Sequence, residues 1–235
     1  MIEKNIFVLW NHRNILEDNH PLLVNGVHNL KKLNSDWKFH IVTPQDMKRD
    51  IFFLVSEEEY KLIIQQNIPS ISDFWRAIKL YEKGGVYMDI DRFCNIPLSE
   101  ILEPGIKWVL PTMRDYDFSH DIMITASRNP VMKLTADLYL ERLKEGIYSQ
   151  YFLGPQTYMH AITKTLFGTM INTDPGKEIF DKMREEIANY PFIKLYREEP
   201  PNDMILYRGE EGHLVEEYKR DFYKKEKVKH WTGEW

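Results

Sequence analysis

The stretch Ser70-Ile71-Ser72-Asp73-Phe74-Trp75-Arg76-Ala77-Ile78-Lys79-Leu80-Tyr81-Glu82-Lys83-Gly84-Gly85-Val86-Tyr87-Met88-Asp89-Ile90-Asp91 reads as helix, turn, strand and loop in one uninterrupted run. Ile71, Phe74, Trp75, Ile78 and Tyr81 recur at helical spacing, with Ser70 or Ser72 placed to cap the first turn. Gly84 follows the last helical residue, where a left-handed residue closes a helix without a Cβ clash. Gly85 to Met88 then form a strand that delivers Asp89 and Asp91 at its carboxyl end, the side on which open α/β sheets bind ligands.

Outward from this unit the chain keeps the same alternation. Ile6 to Trp10 is a short apolar run suited to a buried strand, and Pro21 opens a helix carrying Leu22, Leu23, Val27, Leu30 and Leu33 on one side. Trp37 to Thr43 alternates as a second strand that Pro44 stops, and Ser56 with Glu59 has capping-box spacing for a helix running to about Gln66. Downstream, Lys107 to Leu110 and Asp121 to Thr125 read as strands, Pro130 to Leu143 as a helix and Pro155 as a helix start. The fold class expected is α/β, a mostly parallel central sheet flanked by helices.

Composition narrows the function. The 235 residues are 43% hydrophobic with a net charge of -5, which disfavours a nucleic-acid binder because such proteins draw their affinity from neutralised phosphates. A single cysteine, Cys94, excludes an internal disulfide framework and a Cys-rich zinc site. Neither a signal peptide nor an apolar run of membrane-spanning length stands out, so the expectation is a soluble, cytoplasmic protein. One basic run opposes the acidic balance: Lys219, Arg220, Lys224, Lys225, Lys227 and Lys229 read as a solvated helix face, or as cations facing an anionic ligand or a membrane surface.

Two aspartates at i and i+2 repel, by about 4 kcal/mol at roughly 4 Å and an effective dielectric near 20. A divalent cation removes that cost, and hard carboxylate oxygens suit magnesium or manganese bridging to phosphate. Alone, an Asp-x-Asp is weak evidence, since a solvated loop explains it equally well. Asp73 and Arg76 at i, i+3 likewise suit a surface ion pair, and Trp10 suits plain core.

In context the block resembles the DXD sugar-binding region of glycosyltransferase family 32 and of the large clostridial glucosylating toxins. The carriers are Ser72-Asp73-x-x-Arg76, Leu80 with Gly84-Gly85 and Tyr87, and Asp89-Ile90-Asp91. Weaker echoes are the first strand ending in Trp10, the Gly154-Pro155 helix start and the C-terminal His230-Trp-Thr-Gly-Glu234-Trp235. The resemblance implies a GT-A-like fold over residues 1–235, with 1–110 as the nucleotide-sugar-binding half and 111–235 as the acceptor-side half whose tail closes the site. It implies a metal-dependent, retaining glycosyltransferase using a UDP- or GDP-sugar, with Mn2+ or Mg2+, and a glycan, glycolipid or protein acceptor.

By the same resemblance, Asp73, Arg76, Asp89 and Asp91 form the catalytic set. Asp91 would touch the metal, Asp89 would bind ribose or sugar and reach the metal through water, and His230 would complete the metal or pyrophosphate site. Asp73 and Arg76 would grip the sugar and pyrophosphate, Tyr87 would line the pocket, Trp10 would stack on the base and Trp235 would close over the donor. Glu234 stands where the family has Ser, exchanging a hydroxyl for a carboxylate near the anion. Asp115, Asp117 and Asp121 are candidates to orient an acceptor hydroxyl, or are simply solvating. Two other classes remain: a haloacid-dehalogenase-type phosphatase, which also uses an Asp-x-Asp after a strand, and a sugar-nucleotide binding module without turnover.

Overall fold

A computed structural model describes residues 1–11, 13–14, 21–113, 117–197, 206–207 and 209–225. Chain order runs β1 (Asn5–Leu9), α1 (Pro21–Leu33), β2 (Lys38–Val42), α2 (Pro44–Leu54), α3 (Glu57–Ile64), α4 (Ile68–Lys83), β3 (Gly85–Met88) and β4 (Phe93–Cys94). It continues with β5 (Trp108–Met113), β6 (Asp117–Phe118), β7 (Ile122–Thr125), α5 (Pro130–Lys144), α6 (Gln150–Leu153), α7 (Pro155–Phe167), α8 (Lys177–Ile187), β8 (Ile193–Arg197), β9 (Leu206–Tyr207) and α9 (Gly209–Lys225).

The main sheet has the order β2-β1-β3-β7-β5-β6, with β8 also on β5. β1 is parallel to β2 and β3, and β5 is parallel to β8, whereas β7 runs against both β3 and β5 and β6 runs against β5. Most strands therefore point one way, and β3 stands at the junction between a parallel and an antiparallel neighbour. β5 spans position 110, so the sheet draws on both sequence halves.

Side chains alternate across the sheet with the two-residue strand period. Phe7, Tyr87 and Met123 join one core with Trp75 of α4 and Tyr139 of α5. Ile6, Val8, Val86, Met88, Ile122 and Ile124 join the other, with Leu23, Val27 and Leu30 of α1 and Val215 of α9. The sheet is thus covered on both faces, α4 on one and α1 with α9 on the other.

Three sequence expectations are corrected at the backbone. Pro44 does stop β2, but it also opens α2, because Thr43 caps that helix and Asp46 closes the capping box where Glu or Gln is usual. Asn67, not Ser70 or Ser72, caps α4; its side chain accepts from the Ser70 amide, and Pro69 fits the first turn, where its missing N–H costs nothing. Gly84 has φ 59° and ψ 179°, a positive φ as required but an extended ψ rather than the left-handed helical one. That conformation admits essentially only glycine and turns the chain from α4 straight into β3. Gly85, at φ 111°, lets β3 approach β1 so closely that a Cβ would lie 2.9 Å from Asn5 Cβ.

Candidate active site

α4 and β3 run in opposite directions, so the first half of α4 lies beside the carboxyl end of β3. Asp73 and Arg76 thereby meet Asp89. Arg76 Nη2 is 3.0 Å from Asp73 Oδ1, and Arg76 Nη1 is 3.9 Å from Asp89 Oδ1. The guanidinium also donates to the Ser72 hydroxyl at 3.1 Å and to the His120 carbonyl at 2.6 Å, and it lies 4.2 Å over the Tyr87 ring. Tyr87 in turn donates to Asp89 Oδ1 at 2.7 Å. Asp73, Arg76 and Tyr87 are all buried, so the surface ion-pair alternative for Asp73 and Arg76 is set aside.

Burial controls the protonation of this group. It pushes Asp73 up to about 7, against the pull of Arg76 and with the push of Asp89. Burial alone would weaken the Arg76 charge, but Tyr87, Asp73, Asp89 and Asp121 around it hold the guanidinium firmly protonated. His120, whose Nδ1 lies 3.6 Å from Asp73 Oδ1, is driven well below the ordinary imidazole range by burial and by Arg76, and so stays neutral. Asp73 Oδ2 and His120 Nε2 are buried with no hydrogen-bond partner among the described residues. Each unsatisfied atom is a standing cost that a bound hydroxyl could remove.

Gly154, between α6 and α7, packs against Asp73. A Cβ there would lie 2.7 Å from Asp73 Cγ. The Gly154-Pro155 pair thus belongs to the site: Pro155 opens α7 and the bare Gly154 makes room for the carboxylate.

The second carboxylate stands differently. Asp91 is 1% exposed, and Lys219 of α9 reaches it, Nζ to Oδ1 at 3.2 Å, while the same Nζ is 4.0 Å from Asp89 Oδ2. One residue earlier in α9, the Tyr218 ring lies 6.2 Å from the ring of Trp10, which is buried at the end of β1. Of the basic run, Lys219 is therefore turned inward and paired with the buried Asp91, whereas Arg220 and Lys224 are exposed. The side chains of Lys225, Lys227 and Lys229, together with Asp115, His230, Glu234 and Trp235, lie outside the described residues.

Asp121, a candidate for the acceptor side, is engaged by Arg92 and by the Ser119 hydroxyl, and its carbonyl accepts from the Asp89 amide at 2.8 Å. It buttresses the pair rather than standing open to an acceptor. Among the described residues no group of three or more His, Cys, Asp or Glu side chains could hold a metal ion. Two carboxylates with remaining positions taken by phosphate oxygens and water is nevertheless the usual holding for magnesium and manganese. Asp89 and Asp91 fit that pattern, since a cation, the Lys219 ammonium, already lies within 4.0 Å of both.

Residues 20–105 match the glycosyltransferase sugar-binding region containing the DXD motif. Asp73, Arg76, Tyr87, Asp89 and Asp91 fall inside the match; Trp10, Gly154 and Lys219 fall outside it. Among curated proteins none matches the chain. Among solved structures, the PaToxG glycosyltransferase is similar with a TM-score of 0.57 at 17% identity, over 80% of this chain and 76% of that one. A glycosyltransferase involved in the glycosylation of the major capsid of PBCV-1 gives a TM-score of 0.39 at 12% identity, over 90% of this chain and 98% of that one. The fold is GT-A-like, a mostly parallel sheet flanked by helices, as expected. The phosphatase alternative expects its pair after the first strand; here the pair follows β3. No helix among the described residues is long and apolar enough to cross a membrane.

Two residues that sequence reasoning left out, Arg92 and His120, belong to this site, and a third, Lys219, was read only as part of a basic run that could face an anionic ligand. Arg92, directly after the Asp-x-Asp, was visible as a neighbouring cation. Lys219 was visible only as one of six basic residues. His120 carried no signal, because nothing short of the folded β6 to β7 loop places it beside Asp73.

Proposed function

We propose that this chain is a metal-dependent glycosyltransferase that moves a sugar from a UDP- or GDP-sugar to a hydroxyl of a glycan, lipid or protein acceptor, with retention of anomeric configuration, as in family 32. The observation that carries the reading is the placement of Asp89 and Asp91 at the carboxyl end of β3, beside the buried Asp73 and Arg76 pair, within the DXD-matching stretch. An ion such as Mn2+ or Mg2+ held by Asp91 and Asp89 supplies positive charge where the leaving diphosphate gains negative charge.

The chain's own residues do the rest. Arg76 presents a fixed cation beside Asp89 in a water-poor site, where preorganised charge acts more strongly on the transition state than on the ground state. Tyr87 fixes the rotamer of Asp89 through its hydroxyl. Asp73, with an unsatisfied oxygen, accepts from a sugar hydroxyl. Trp10 receives the nucleobase, with stacking worth on the order of 1–3 kcal/mol. His230 and Trp235 belong to the same reading as metal or pyrophosphate ligand and as closing ring.

The test is a thermal-shift panel of UDP- and GDP-sugars with and without Mn2+. Binding to the folded state alone raises stability with ligand concentration over Kd, so one donor should stand out and should need the metal. A panel in which no nucleotide sugar raises the melting temperature, with or without Mn2+, overturns the reading.

A further inference from the structure

A single turn of α9 occupies both ends of the place that the donor is expected to fill. Lys219 puts an ammonium within 3.2 Å of Asp91 and 4.0 Å of Asp89. Tyr218 lays an aromatic ring beside Trp10. Val215, one turn earlier, is fully buried in the core shared with α1 and the sheet, so the helix is seated there by packing as well as by charge. The ammonium does for the acidic pair what a metal does: it removes the repulsion between two carboxylates held close together.

The two cations oppose one another. Magnesium or manganese binds a carboxylate oxygen at about 2.1 Å, so an ion on Asp91 would lie within roughly 5 Å of Nζ as now placed. A singly and a doubly charged cation that close, in a site largely shielded from water, repel strongly.

We propose that Lys219 and the divalent cation compete for the Asp89 and Asp91 pair, so that Lys219 sets the metal affinity of the site and withdraws with its turn of α9 when the metal enters. This rests on the metal-dependent reading above. It adds a determinant that the matched stretch does not contain, since Lys219 lies beyond residue 105.

The experiment is a titration of the full chain with Mn2+ alone, following free Mn2+ by electron paramagnetic resonance, for wild type, Lys219→Met, Lys219→Gln, Lys219→Arg and Asp91→Asn. Both neutral variants should bind Mn2+ about tenfold more tightly, a change of about 1.4 kcal/mol. Lys219→Arg, which keeps the charge, should stay close to wild type, and Asp91→Asn should lose the site. A melting curve of each protein shows whether it is folded, and with two neutral variants the loss of one leaves the other to decide. Equal or weaker Mn2+ binding by the neutral variants overturns the competition; if Mn2+ then still strengthens UDP or GDP binding to wild type, the enzyme reading survives. Mn2+ binding to none of the proteins, with nucleotide binding indifferent to Mn2+, overturns both.

Discussion

The two acidic parts of this site are neutralised in opposite ways. Asp73 is matched by Arg76 within one turn of the same helix, and that guanidinium is held by Ser72, the His120 carbonyl and the Tyr87 ring. Its partner is held in place by contacts from three directions. Asp91 is matched by Lys219, a flexible side chain supplied from 128 positions away on a helix near the end of the described chain. A counter-charge of the first kind is architecture, fixed as soon as α4 folds. One of the second kind can be exchanged, which is what a carboxylate pair that must take up a metal requires.

The sharpest way to break this contrast is to remove each carboxylate of the exchangeable pair. Asp89→Ala and Asp91→Ala should each lower transfer and donor hydrolysis by about 10^4-fold, in the range seen when a central catalytic group is lost. Asp91→Ala should also lower the melting temperature, because it leaves the mostly buried Lys219 ammonium without its partner, whereas Asp89, the more exposed of the two, should cost less. Kinetics of nucleoside diphosphate release, paired with thermal melts, measures both. Turnover retained by both variants would mean that the acidic pair is structural.

On the architectural side the expected loss is in stability. Arg76→Leu leaves Asp73 buried without its cation, a change that costs about 3–5 kcal/mol when the remaining charge cannot be relieved. Here relief is available, because Asp73 is already pushed up to about 7 and can keep a proton. The sign follows. A carboxyl whose folded value lies above its unfolded 3.8 favours folding through the proton it holds; this is fully present below 3.8 and lost as pH rises through about 7. Without Arg76 the folded value moves higher still, so the part of the Arg76→Leu deficit that comes from Asp73 should be small at pH 6 and should grow towards pH 8.5, on top of a pH-independent loss of the bonds to Ser72 and the His120 carbonyl. Denaturant melts at the two pH values decide it; a deficit that does not grow with pH would show that Asp73 is not the responsible group.

How much of this was legible in the sequence follows the same division. The helix, the Gly84-Gly85 turn and the strand leading into Asp89 could be read because their determinants are local: periodicity, a positive-φ glycine and a spacing of three or four residues. α2 was lost because Pro44 is both a strand stop and a helix start, and its capping acid is Asp46, one carbon shorter than the usual residue. Asn67 rather than Ser70 caps α4 because Pro69 fits the first turn of a helix as readily as it fits a break before one. Lys219 at Asp91, His120 at Asp73 and Gly154 under Asp73 depend on long-range topology. Local spacing carries no trace of such pairings, although the Gly154-Pro155 signature did mark one of them.

Gly154 tests how tightly that topology is built. Gly154→Ala puts a methyl group against Asp73. Overpacking of this kind costs about 1–3 kcal/mol. The displaced carboxylate should raise the donor KM more than it lowers kcat, because the change acts on sugar positioning. If steady-state kinetics give wild-type constants, Asp73 does not have to sit where α7 begins.

The smallest effect is expected at an acid outside the site, where the shift runs the other way. Asp46 closes the capping box of α2, accepting from the Thr43 amide at 3.1 Å and hydroxyl at 2.8 Å, with Arg13 and Arg49 beside it. Burial opposes its charge, yet Arg13 and Thr43 prevail and hold it down at about 2. Its contribution is therefore present above the unfolded value of 3.8 and is lost as pH falls through 2, the reverse of Asp73. Because Arg13 is largely solvated, the pair is screened, and Asp46→Asn should cost about 1 kcal/mol near neutral pH, a value set by the cap. That difference should shrink towards pH 2 while the Arg76→Leu deficit shrinks from alkaline to acidic pH at much higher values. Two buried acids on one sheet end, one pushed up to about 7 by burial and one held charged by its donors, would then be separated by pH alone.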